Sequence, residues 1–389
     1  MAAADGAASV RSRARISDPA ARAGGVVSID LDALTANYRR LKAALPATEC
    51  GAVVKADAYG LGVHRVAPAL ARAGARSFFT ATIDEALDLR TILDEAGIGE
   101  ARIGVLNGPL PGTAADLIAF DIVPVLNSLA EVDRWAEAAR ARNRELPAML
   151  HVDTGMSRLG LPDEETATLA RDPGRLSGVR LDAIMSHLAC ADTPAHPENA
   201  HQLARFRNAA EALPAAPRSL ANSSGIFLGR GYHFDLARPG VALYGVNPTP
   251  AHTNPMAPVV RVQGRVMQLR QIDAQRGVGY GSAFRASGPT RIATIGAGYA
   301  DGCLRALSNR GRVAAGRHLL PIVGRVSMDS ITVDATALGP DALQPGDWVD
   351  LVGPGHDVDD LAEEADTVGY EILTSLGRRY HRVYCGGDS

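Results

Sequence analysis

Apolar positions along the chain follow two rhythms, which change over near residue 255. Val26-Val27-Ser28-Ile29 predicts a short strand, and Leu34, Tyr38, Leu41 and Leu45 recur at helical spacing over 32–45. From there strand-like and helix-like segments alternate. The strand-like runs are 51–55, 77–83, 102–106, 121–126, 148–152, 181–187, 218–221 and 236–243, most of them separated by amphipathic stretches such as 83–96, 128–142 and 198–213. Eight such units over about 230 residues predict an α/β fold of the (β/α)8 TIM-barrel type, whose chemistry gathers at the C-terminal ends of the strands.

Beyond Pro255 the texture turns to short β-type runs at 259–269, 291–296, 312–314, 321–323, 331–333 and 348–351, with Gly and Pro turns between them. This predicts a C-terminal all-β domain, closed by a helical segment over 359–376 and a strand over 379–384. The expected organisation is a disordered tail over 1–25, rich in Ala, Arg, Ser and Gly, a barrel over 26–256, and the β domain over 257–389.

Composition narrows the class. A 389-residue chain that is 46% hydrophobic and 21% charged is an ordinary globular protein with room for two domains. A formal charge of -3 gives no footprint for nucleic acid or an anionic membrane surface, and the longest apolar runs are too short to span a bilayer. Cys50, Cys190, Cys303 and Cys385 form no CxxC pair, which argues against a metal site or a disulfide framework and for a reducing cytoplasm. The first 25 residues lack the apolar segment of a secretory signal.

Lysine occurs only at positions 42 and 55. Lys42 falls on an amphipathic helix, where a solvated face explains it. Lys55 ends an apolar strand at the catalytic rim, where desolvation lowers an amine's pKa and favours Schiff-base chemistry. The plainer alternative is a lysine leaving its strand for solvent. Asn222-Ser223-Ser224-Gly225 and Pro239-Gly240-Val241 follow strands seven and eight, the usual phosphate corner of such barrels, and Tyr59 offers a hydroxyl nearby. Ser-Ser-Gly is also a common turn, so the weight lies in the coincidence.

Six motifs resemble the alanine racemase family: Val54-Lys55-Ala-Asp-Ala-Tyr59-Gly60, His151-Val-Asp-Thr-Gly-Met-Ser-Arg158-Leu-Gly160, Arg238-Pro-Gly-Val-Ala-Leu-Tyr244-Gly245, Gly279-Tyr280-Gly281, Gly298-Tyr299-Ala-Asp-Gly302 and Gly324-Arg325-Val-Ser-Met328-Asp329. The resemblance covers nearly everything after the tail. It implies that Lys55 carries pyridoxal 5'-phosphate as a Schiff base and is the base on the D-alanine side. It implies that Tyr280, from the other subunit of a homodimer, serves the L-alanine side. Racemisation needs a second donor, because a proton removed from one face of Cα must be returned to the other.

The same resemblance assigns Tyr59, Ser223, Gly240 and Val241 to the cofactor phosphate. It sets Arg238 against the pyridine nitrogen, where a group that only donates keeps that nitrogen unprotonated. Arg158 and the backbone at Met328 are expected to hold the substrate carboxylate, and Tyr299 to guard the entrance. His187, Arg238 and Arg158 are expected near Tyr280, whose ordinary pKa near 10 nearby cations would lower. Read without the family, His187 is a core histidine and Tyr280 a turn residue.

Three positions depart from the family pattern. His151 stands where a carbamylated lysine is common, Arg378 where a tyrosine reaches the phosphate, with Tyr380 close by, and Leu61 where a histidine is frequent. The competing functions are a broad-specificity amino-acid racemase, a decarboxylase on a related plan, and a non-catalytic pyridoxal phosphate-binding protein. The second domain with its Gly-Tyr280-Gly argues against the last.

Overall fold

The computed structural model describes residues 18–387. Residues 1–17 of the expected tail lie outside the described residues. Its remainder is ordered: Asp18 caps a helical turn, Pro19–Arg22, and strand β1 (Gly25–Asp30) follows. The pattern groups β1 with the barrel, but its partners lie in the second domain. The helix Leu31–Ala43, capped by the Asp30 carboxylate, then leads to the barrel.

The first barrel strand is interrupted at Gly51 into β2 (Glu49–Cys50) and β3 (Ala52–Val53). β4 (Ser77–Thr80), β5 (Arg102–Val105), β6 (Ile122–Leu126), β7 (Leu146–His151), β8 (Val179–Met185) and β9 (Arg218–Ser219) add to β3 in parallel, in sequence order. β10 (Leu236–Ala237) closes the sheet. The Asp235 and Arg238 amides donate to the Arg218 and Ala221 carbonyls on one side, and the Gly51 and Val53 amides donate to Ala237 and Pro239 on the other, all at 2.9 Å. Phe79 is fully buried and fills space left by its neighbours, since a β-carbon on Gly51 or Gly104 would lie 3.1 or 2.8 Å from its ring. Burying such a side chain contributes about 1.5–3 kcal/mol.

The second domain hangs on β11 (Val260–Ile272), a 13-residue strand bulged between Val266 and Gln268. The remaining strands are β12 (Gly277–Val278), β13 (Phe284–Arg285), β14 (Thr290–Ile295), β15 (Arg312–Ala315), β16 (His318–Pro321), β17 (Ile331–Asp334), β18 (Trp348–Val352) and β19 (His381–Cys385). One sheet runs β16-β15-β18-β11-β1-β19, with β14 and β17 branching from the far half of β11. β1 is thus antiparallel to β11 and parallel to β19. The helical segment predicted over 359–376 divides into Val358–Glu364 and Gly369–Thr374, with Asp366 left-handed (φ 56°) between them. Among the described residues no helix is long and apolar enough to cross a membrane.

The domains meet at the loop after Lys55. On β19, Arg382 Nη1 donates to the Gly60 carbonyl at 2.5 Å and the Tyr384 hydroxyl donates to the Leu61 carbonyl at 2.9 Å. The second domain therefore fixes part of the barrel rim.

Candidate active site

Lys55 leaves β3 at the rim, half-buried, and the backbone behind it takes an unusual course. Ala56, Asp57, Ala58 and Tyr59 have φ of 53, 54, 54 and 55°, a left-handed helical turn built from residues that carry β-carbons. Such a conformation costs roughly 1–2 kcal/mol per residue and persists where surrounding contacts over-determine it. The Glu85 carboxylate accepts from the Ala56 amide at 2.7 Å, and the Asp57 carboxylate accepts from the Val63 amide at 2.7 Å. The Lys55 amine is pulled below its ordinary value by burial and then by the Arg158 cation, with Glu85 opposing. That favours the neutral, nucleophilic form.

Behind the turn, Tyr59 stacks on Tyr244 with ring centroids 4.7 Å apart, and the Tyr244 hydroxyl donates to the Val53 carbonyl at 2.9 Å. This brings Tyr59 to the loops after β9 and β10. Ser223 Oγ accepts from the amides of Gly240 and Ala242 at 2.9 and 3.3 Å, which leaves its hydroxyl proton free to donate. A β-carbon on Gly240 would lie 2.4 Å from the Tyr59 hydroxyl. The glycine keeps open a cradle of hydroxyls and amides, with Val241 opening the 3-10 turn Val241–Tyr244 beside it. The donor set fits a phosphate monoester.

Arg238 is buried, donates through Nη2 to the Ser186 carbonyl at 2.6 Å, and also bonds Ser219 Oγ. Burial lowers its guanidinium to about 10, still a cation at neutral pH. Among the described residues no carboxylate ion-pairs with Lys55, Arg158 or Arg238. A site whose cations form no ion pair with its own carboxylates suits anionic ligands such as a phosphate and a carboxylate. His187, at the end of β8, is held well below its ordinary pKa by burial and then by Arg238 and Arg158. Both effects favour the neutral imidazole, which leaves the arginines as the cations beside it.

His151 ends β7, and a partner that the sequence did not reveal fixes its protonation. Asn127 Nδ2 donates to the Leu106 and Val125 carbonyls at 3.2 and 2.9 Å, so Asn127 Oδ1 must be what meets His151 Nδ1 at 2.8 Å. This assigns the proton to Nδ1 and leaves Nε2 an acceptor. Burial and then Arg238 push the imidazole down to about 4. The position of the usual carbamate thus offers a neutral acceptor.

Tyr280, Tyr299 and Met328 lie on loops of the second domain. The Tyr299 and Ala300 amides donate to the Ser327 and Met328 carbonyls at 2.9 and 3.0 Å, and the turn Tyr280–Ser282 flanks Arg325. The three are 71, 45 and 52% exposed, and among the described residues Tyr280 makes no hydrogen bond to the barrel rim. Arg379 braces this face, donating to both Asp301 oxygens at 2.8 and 2.7 Å, to Asp329 at 2.6 Å and to the Met328 carbonyl at 3.4 Å. Spacing gave no sign of Arg379, although its neighbours Asp301 and Asp329 sit inside two of the motifs. Tyr380 is buried, with its ring against Gly25, whereas Arg378 is exposed. Of the two, Arg378 is the one free to reach outward.

Comparison with known proteins adds to this geometry. Family models described as alanine racemase, N-terminal domain, and alanine racemase, C-terminal domain, match residues 29–248 and 259–384. A catabolic alanine racemase of Mesorhizobium japonicum is 50% identical over 367 residues, 94% of this chain and 95% of the relative. The alanine racemase of Rhodospirillum rubrum is 48% identical over 366 residues, 94% of this chain and 97% of the relative. A solved alanine racemase from Bartonella henselae with covalently bound pyridoxal phosphate superposes with a TM-score of 0.90 at 45% identity, over 93% of this chain and all (100%) of that one.

Proposed function

The chain belongs to the alanine racemase family and interconverts L- and D-alanine with pyridoxal phosphate, and from that premise we propose that Lys55 and Tyr280 are its two bases, each site taking Tyr280 from a second copy of the chain. Lys55 is the attachment point of the cofactor. Tyr59, Ser223, Gly240 and Val241 hold its phosphate, and Arg238 and His187 line its ring. When bound, pyridoxal phosphate supplies an electron sink that acidifies the substrate Cα–H.

Everything else falls to the side chains. Lys55, as a neutral amine, takes the Cα proton on the D face, and the Tyr280 phenol returns one to the L face; in the reverse direction the roles exchange. Arg158 and the Met328 amide clamp the substrate carboxylate, with His151 Nε2 available as an acceptor for Arg158. Tyr299 narrows the approach. Guanidinium does not give up its proton near neutral pH, so Arg238 leaves the ring nitrogen unprotonated and weakens the sink.

The observation that carries the two-base reading is the split between domains. One candidate base is half-buried at the barrel rim, and the other is 71% exposed on the second domain and, among the described residues, makes no hydrogen bond to the rim. The reading requires a homodimer that brings the two surfaces together, and closed symmetric pairing would give two equal sites. The free cysteines Cys50, Cys190, Cys303 and Cys385 support a reducing cytoplasm. Hydrogen exchange at Cα in heavy water tests the assignment. Tyr280→Phe should lose exchange from L-alanine and retain it from D-alanine; equal exchange from both enantiomers would refute it.

A further inference from the structure

The left-handed turn behind Lys55 is held by a carboxylate that the proposed reaction does not otherwise use. Glu85 is the third residue of the helix Ile83–Glu95, in the next barrel unit. One oxygen, Oε2, serves its own unit, accepting from the Ala81 and Thr82 amides at 2.8 and 3.3 Å. The other, Oε1, crosses to the lysine loop and accepts from the Ala56 amide at 2.7 Å. Glu131, at the same place in the helix Leu129–Ala141, accepts from the Asn127 amide at 2.8 Å within its own unit. The bridge to a neighbouring unit therefore goes beyond helix capping.

Ala56 is the first left-handed residue, immediately after Lys55. Holding its amide fixes the peptide from which the lysine departs and the point where the turn begins. At the other end Arg382 and Tyr384 hold Gly60 and Leu61. The turn is pinned on both sides, and Tyr59 within it is thereby aimed at Gly240.

We propose that Glu85 is a positioning residue for Lys55: its carboxylate bridges the Ala56 amide to the Ala81–Thr82 amides and holds the left-handed turn that aims Lys55 and Tyr59. Two acceptor oxygens are required. A glutamine in either orientation sets an NH2 group against an amide N–H and leaves one side unbonded. Glu85 also faces Lys55 as an opposite charge and opposes the effect of Arg158. The inference rests on Lys55 being the cofactor lysine, and its test separates the two claims.

The test uses full-length protein loaded with pyridoxal phosphate and compares Glu85→Gln, Glu85→Asp and Thr82→Ala with the parent. Amide hydrogen exchange reads the turn directly. Loss of the bridge should speed exchange over 56–60 about tenfold in both Glu85 variants, with 129–141 unchanged, because a charge-assisted bond is lost. Visible circular dichroism of the bound cofactor should fall, and kcat should drop about tenfold while the alanine KM stays within about twofold. Thr82→Ala removes only the cap on the Glu85 amide and should leave all three readings at parental values. Parental exchange over 56–60 in Glu85→Gln, or equal loosening in Thr82→Ala, overturns the proposal. Borohydride trapping in the parent tests the other claim: label on Lys42 in place of Lys55 overturns the cofactor assignment and leaves the exchange result standing.

Discussion

Replacing Gly240 with alanine puts a β-carbon 2.4 Å from the Tyr59 hydroxyl oxygen and 3.0 Å from Cζ. Tyr59 cannot swing aside freely, because its ring is 8% exposed and stacked on Tyr244, itself buried and bonded to the Val53 carbonyl. The Gly240 amide is equally committed, donating to Ser223 Oγ at 2.9 Å. Overpacking of this kind costs about 1–3 kcal/mol. Here the strain falls on the two elements that grip the phosphate. With 1.4 kcal/mol per decade, pyridoxal phosphate should bind roughly ten- to a hundredfold more weakly. Titration of apoprotein with the cofactor, followed by its visible absorbance, gives the dissociation constant. Tyr59→Phe removes the clashing oxygen and one phosphate donor, so the double variant should lose less than the sum of the single losses. Wild-type affinity in Gly240→Ala, or strictly additive losses, would refute the cradle as described.

Other consequences follow from the same contacts. His151 is depressed from its ordinary 6.5 to about 4 by burial and then by Arg238. The unfolded chain therefore takes up the proton first, and stability present above pH 6.5 is lost as pH falls through 4, by about 3 kcal/mol in all. Urea midpoints at pH 7 and 4.5 should diverge less in His151→Asn; an unchanged slope would count against the buried neutral imidazole. Arg379→Ala frees the loop that carries Met328 and should raise the alanine KM on the order of tenfold. Cofactor content should stay the same, and loss of cofactor instead would place Arg379 elsewhere in the account.

Periodicity and motif spacing revealed much of this architecture. The eight strand-like runs each correspond to a barrel strand, because buried parallel strands leave continuous apolar stretches whatever the tertiary context. Lys55, Ser223 and Gly240 stood out because chemistry at a barrel rim follows strand ends. Other features depend on contacts that spacing does not encode. Ala56-Asp57-Ala58-Tyr59 contains no glycine and gives no local sign of positive φ; the turn is imposed by Glu85, Arg382 and Tyr384. The alternating burial of Gly25–Asp30 marks a strand but not its partners, which arrive 230 residues and more later as Val260–Ile272 and His381–Cys385. The strand expected over 321–323 instead spans His318–Pro321, where pairing with β15 sets its limits. The lowered pKa of His187 reflects its burial first and then cations brought from other segments, Arg238 and Arg158 foremost.

The central claim is that Lys55 of one copy works with Tyr280 of another, and mixed dimers test it most directly. Lys55→Ala and Tyr280→Phe proteins, each inactive alone, are unfolded together, refolded at equal concentration and assayed for loss of optical rotation of L-alanine. If the bases come from different copies, half the dimers carry one intact site in two, and about a quarter of the parental activity returns. If both bases of a site came from the same chain, no mixture would restore an intact pair, and activity would stay at the level of the separate variants.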